Sequence, residues 1–108
     1  MKNRYITVKT ALVLLCPALL AQENPRQLFL RAREMQYANG GNNSAGAVTL
    51  YRKVIAALPN STEAHLRLSE ALLELQDVDG ALVAAKRAVE LSPKNSEAVT
   101  NLAIIEFM

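Results

Sequence analysis

The chain has 108 residues, enough for a single domain. Apolar residues make up 51% and charged residues 20%, which excludes a disordered chain of low hydrophobicity; Ala and Leu dominate, which favours helix. The formal charge of +2 is concentrated at the start: without Lys2, Arg4 and Lys9, nine basic residues stand against ten acidic ones, so nothing in the charge points to nucleic acid as a partner.

Residues 1–21 read as an export signal. "MKNRYITVK" is a basic n-region without an acid. "TALVLLCPALLA" is an apolar run of about a dozen residues, shorter than the roughly 20 a transmembrane span needs. Pro17 suits a helix break before cleavage, and Ala21 is the expected last residue removed, although Leu19 stands where a smaller residue is usual. A short buried helix is the competing reading, and the lack of acids weighs against it. The remainder, 22–108, is then expected in the periplasm or outside the cell. Cys16 is the only cysteine, and its neighbours Leu15 and Pro17 disfavour lipid anchoring through it. Cleavage after Ala21 would leave no cysteine for a disulfide, a metal or a nucleophile.

Asn24-Pro25 is a helix start, a cap followed by proline at the first helical position. Leu28, Phe29, Ala32 and Met35 then make one apolar stripe. "NGGNN" (Asn39 to Asn43) reads as a turn, because Gly and Asn tolerate turn backbone angles. A second helix runs from about Ser44 to Leu58 on Ala47, Leu50, Tyr51, Val54 and Ile55. Ser61 caps a third, with Glu63 in its first turn and a stripe of Ala64, Leu68, Ala71, Leu72 and Leu75. "DVDG" is a polar break holding the next cap. The fourth helix carries a methyl face of Ala81, Ala84, Ala85 and Ala88, with Lys86 and Arg87 turned away, and Pro93 stops it. Ser96 opens a fifth, carrying Val99, Leu102, Ala103 and Ile105.

These elements repeat. "LPNSTEA" recurs as "SPKNSEA", with Pro59 and Pro93 34 residues apart. The same offset pairs Ala47 with Ala81, Ala64 with Ala98 and Leu68 with Leu102. The unit "TEAHLRLSEALLELQDVDGALVAAKRAVELSPKN" (Thr62 to Asn95) resembles a tetratricopeptide repeat over its whole length. Leu68-Ser69 stands at the family's large-small pair, Ala81 and Ala88 at its small packing positions, and Pro93 at its closing proline. His65, Leu72 and Ala85 stand where the family has larger aromatics, which predicts looser packing. Aligning the earlier repeat needs about three extra residues, which "NGGNN" can hold, and leaves Arg31 at a position usually apolar. The resemblance implies an all-α fold, a helical-hairpin solenoid of about two and a half repeats behind the signal. Within 22–108, a divergent repeat covers 24–59, a clear one 62–95, and the first helix of an incomplete one 96–108. In "NLAIIEFM", Leu102 and Ala103 are expected to pack back while Ile104, Phe107 and Met108 point elsewhere. Two readings stay open: the chain is a fragment of a longer array, or another molecule covers this end.

No catalytic constellation or cofactor motif is evident, and the expectation is a non-enzyme without cofactor or metal. His65 is the sole histidine and reads as structural. "NGGNNSAG" lacks the lysine of a phosphate loop, and Asp77 and Asp79 supply too few oxygen ligands for calcium. Glu70 and Glu74 share a helix face and read as solvated charges. Asn42 and Asn60 head glycosylation acceptors relevant only to a eukaryotic host. The resemblance implies a protein- or peptide-binding scaffold whose first helices line a concave groove. That groove would show Phe29 and Arg33, then Leu66, Arg67, Glu70 and Leu73, then Thr100, Asn101 and Ile104, a mixture suited to an extended or helical peptide. Phe29 and Glu97 occupy two places where some members clamp a chaperone's C-terminal carboxylate with basic residues, which disfavours that partner. An adaptor of the bacterial envelope is expected, with self-association through the last helix. The alternative is the N-terminal recognition segment of a larger secreted enzyme or assembly factor.

Overall fold

The computed structural model describes residues 23–38 and 43–108; the signal reading of 1–21 and most of the "NGGNN" turn lie outside them. Among the described residues there are five helices: α1 (Pro25–Tyr37), α2 (Ser44–Ala57), α3 (Thr62–Glu74), α4 (Val78–Leu91) and α5 (Ser96–Glu106). Each begins where a polar side chain can take up an orphan backbone N–H. Asn24 accepts from Arg26 N at 2.8 Å, with Pro25 opening the helix. Ser61 accepts from Ala64 N at 3.2 Å, and Asn95 from Ala98 N at 3.1 Å. Asn43 and Asp77, 34 residues apart, cap α2 and α4 through the N–H of Gly46 and Gly80, at 3.0 and 2.9 Å. The cap side chain lies so close that a Cβ on either glycine would come within 2.8 Å of Asn43 or 2.5 Å of Asp77.

α3 ends in a tight reversal. Gln76 N–H donates to the Leu73 carbonyl at 2.8 Å and Asp77 N–H to the Leu72 carbonyl at 2.9 Å. This pair of bonds requires the first donor to take a left-handed conformation. Gln76 takes that conformation at φ 63°, a place where glycine is usual.

Consecutive helices pack as neighbours throughout. In addition α1 touches α3 and α3 touches α5, whereas α2 and α4 stay apart. The helices therefore form two layers, with α1, α3 and α5 in the closer-set one. An array whose one layer is tighter than the other curves toward the tight layer, so the face of α1, α3 and α5 is the concave one.

Small residues make the close contacts. Ala32, Ala47, Ala64, Ala71, Ala81, Ala85, Ala88 and Ala98 are all fully buried. The main core joins α1 through α4 around Tyr51, Leu68 and Leu72, and Ile105 reaches it from α5. Leu66, Ala88 and Ala98 form a second cluster with Val89. Leu72 and Ala85, smaller than the family's aromatics, are buried at 4% and 0% exposure, and His65 Nε2 bonds the Pro59 carbonyl at 2.9 Å.

Three expectations need correction. Leu75 is half-exposed, because α3 ends at Glu74 and the turn carries Leu75 off the apolar stripe. Ala103 is exposed, and Ile105 takes the core position instead; Leu102 does pack on the core. Glu70 and Glu74 are not merely solvated. Buried Gln36 donates from Nε2 to Glu74 Oε1 at 2.8 Å, while Tyr51 Oη donates to Gln36 Oε1 at 2.8 Å, and the Ser44 hydroxyl also bonds Glu74. A buried amide without partners would cost about 1–3 kcal/mol, so Glu74 stabilises the α1–α2–α3 junction by satisfying Gln36.

Candidate functional site

The concave face begins on α1. Phe29 is half-buried, its ring 5.7 Å from that of Tyr51 and tilted by 56°, so it serves packing on one side. Its other side helps line a cavity of about 350 Å³ with Pro25, Val54, Leu58 and Glu63. Arg33 is exposed and sits 6.0 Å over the Tyr37 ring, within reach of a cation–π attraction. These two aromatic contacts anchor the α1 end of the face.

The middle is organised by Arg67 on α3. Its side chain is 15% exposed and its Nη1 bonds Glu70 at 3.0 Å and Glu97 of α5 at 3.0 Å, with Glu63 3.8 Å from Nη2. Burial alone would lower its pKa; the bonds to Glu70 and the charges of Glu70 and Glu97 outweigh that and hold it above the ordinary value. Tyr37 Oη donates to Glu70 Oε2 at 2.6 Å, tying α1 to α3. Burial first, and then this bond, push the Tyr37 hydroxyl up to about 12. The two ties make Glu70 a bridge between a phenol and a guanidinium.

The far end lies between α3 and α5. Glu70, Ser96, Glu97, Thr100, Asn101 and Ile104 line an open cavity of about 310 Å³. Asn101 donates from Nδ2 to the Ser69 hydroxyl at 2.5 Å, which fixes its amide and leaves its Oδ1 as an acceptor. Ile104 is 55% exposed and gives the cavity its apolar edge.

Of the residues expected in the groove, Glu70, Thr100, Asn101 and Ile104 come together around this cavity, with Arg67 directly behind. Phe29 and Arg33 lie at separate cavities on α1. Leu66 is not a groove residue: it is 1% exposed and packed between Ala88 and Ala98. Two residues from Leu68, it stands about 200° round the helix, and α4 and α5 cover that side too. Leu73 is half-buried against the main core. Tyr37 escaped the sequence reading, although its place four residues after Arg33, on one helix face, was the available signal.

A model of the family described as "Tetratricopeptide repeat" matches residues 41–98, more than half of the chain. No curated protein matches it.

Proposed function

From the premise that the chain belongs to the tetratricopeptide repeat family, we propose that it is a scaffold whose concave face holds an extended or helical segment of another protein. The observation that carries this reading is the two-layer asymmetry: α3 touches both α1 and α5 while α2 and α4 stay apart, so curvature presents α1, α3 and α5 inward. The inward face offers half-exposed apolar groups beside fixed charges, the mixture that gives a peptide both area and register. Placing a photo-crosslinking residue at Thr100 on this face, and in a second variant at Lys86 on α4, tests it in an envelope extract. The expected result is defined adducts from position 100 and none from 86. Equal labelling from both positions would sink the groove assignment.

The same proposal places the scaffold outside the cytoplasm, with residues 1–21 acting as an export signal. The basic, acid-free start and the short apolar run support it. Protein recovered from the envelope should begin near Gln22 by mass spectrometry; Met1 intact on soluble cytoplasmic protein would contradict it.

A further inference from the structure

The charges on the concave face are unevenly used. Around Arg67 stand three carboxylates, Glu63, Glu70 and Glu97, so one guanidinium faces three negative groups. Arg67 is mostly buried: its Nη1 hydrogens go to Glu70 and Glu97, its Nη2 lies 3.8 Å from Glu63, and its Nε, which has no partner, is shut off from solvent, so the guanidinium is turned toward these carboxylates rather than toward the open groove. Glu63 and Glu97 have side chains 55% and 57% exposed, so much of their accepting capacity faces water. The Tyr37 hydroxyl on α1 donates inward to Glu70 and adds no opposing charge. Of the cations on α1, Arg33 lies over the Tyr37 ring at a separate cavity with Leu30, Glu34 and Ala38, and Arg26 lines the Phe29 cavity, so neither lines the cavity between α3 and α5.

The cavity between α3 and α5 shares this bias. Glu70 and Glu97 offer carboxylate oxygens that only accept, Asn101 offers Oδ1 because Ser69 holds its Nδ2, and the Ser96 and Thr100 hydroxyls can accept as well as donate. Acceptors therefore dominate its polar lining. Ile104 supplies an apolar edge beside them. A lysine or arginine side chain matches such a lining, because it brings donors and no acceptor, together with an apolar stem that can lie along Ile104. A carboxylate would meet the acceptors and two negative charges.

Resting on the scaffold reading above, we infer that the groove between α3 and α5 selects a client segment carrying a lysine or arginine next to an apolar residue. The cation meets Glu97 and Glu70, and the apolar neighbour covers Ile104. Arg67 is a positioning residue that holds the two carboxylates at the groove.

Fluorescein-labelled peptides alternating leucine with lysine, with glutamine or with glutamate test this by anisotropy on the mature chain. The lysine peptide should bind about tenfold tighter than the glutamate one, the modest gain expected of partly exposed charges, and its advantage should shrink with added salt. Glu97→Gln should narrow the gap, and Glu97→Lys should close or reverse it. Glu90→Lys, the same charge change outside the groove on α4, should leave the preference as it was. Circular dichroism checks that each variant keeps its helices. If the glutamine or glutamate peptide binds as well as the lysine one, the charge selection is wrong and the scaffold reading stands. If lysine preference survives Glu97→Lys, the cation binds elsewhere and the inference is overturned. If no peptide of any charge binds, both readings fall together.

Discussion

Single residues carry strain and pairing that short-range patterns do not show. Gln76 holds a left-handed backbone at φ 63° for the reversal after α3. A side chain there costs about 1 kcal/mol or more, which glycine would avoid. Gln76→Gly should therefore stabilise the protein by about 1 kcal/mol, raising the melting temperature by roughly 4–8 °C for a domain of this size; thermal unfolding with an unchanged or lower midpoint would show that the turn tolerates Gln without strain. Tyr37 makes a second test. Its hydroxyl, raised from 10.0 to about 12, is held neutral by the partial burial of a residue that is still 47% exposed and then by its bond to Glu70. The sign follows: the folded state favours the protonated phenol, so its stabilisation is whole below pH 10 and lost as the pH rises through about 12. The urea midpoint should fall through that window, and Tyr37→Phe should show a smaller fall. An identical decline in both proteins would place the alkaline sensitivity elsewhere. Neither feature was readable beforehand. The left-handed angle needs the two bonds to Leu72 and Leu73, and the Tyr37–Glu70 bond joins residues 33 positions apart.

At the level of whole helices the sequence was far more legible, because starts, stops and periodicity are local. Asn24, Ser61 and the "DVDG" break mark helix starts that the caps bear out, and Pro93 lies just past the end of α4. The alanine face of α4 was readable for the same reason, since four small residues at helical spacing leave one interpretation. It also gives a test: Ala81 is fully buried in the main core, so Ala81→Leu should overpack it and cost roughly 1–3 kcal/mol. Chemical denaturation with an unmoved midpoint would mean the helices can separate to admit the larger side chain. Lys86→Leu, on the exposed side of the same helix, should show no such loss. What failed at this scale was the facing of α3. Ala64, Leu68, Ala71 and Leu72 lie within about 100° of one another, but Leu66 and Leu73 make a second apolar patch on the opposite side, and the pattern alone does not say whether that second patch is open or covered. Its neighbours decided that: α4 and α5 cover Leu66, and the main core half-covers Leu73. The carboxylates near its end were misread for a related reason, since Glu74 meets Gln36 and Ser44 from 38 and 30 residues away.

Among the described residues the largest exposed apolar side chains gather on α5 and the two residues that follow it. Val99, Ile104, Phe107 and Met108 are 43%, 55%, 95% and 77% exposed, and Val99, Ala103, Ile104 and Phe107 share one cavity with Thr100. Fully covering a side chain of this size is worth roughly 1.5–3 kcal/mol, so contact between copies through this face is favoured. A protein of residues 23–108 is expected to self-associate, and Ile104→Lys combined with Phe107→Glu should yield a monomer of unchanged helical content. Sedimentation across a concentration series decides it, since a monomer throughout, with no difference between the two proteins, would reject self-association. The separation of α2 from α4 has a mechanical meaning as well. α2 and α4 make no direct backbone contact and are joined through α3, which packs on both, while the inner helices meet along their own line, so that line can act as a hinge and the outer layer as the looser seam. Bending about that line changes the gap between α2 and α4 by sliding both against α3. The array is then softest in the one direction that changes its curvature, which works as a shallow spring whose rest shape a bound segment can tighten or relax.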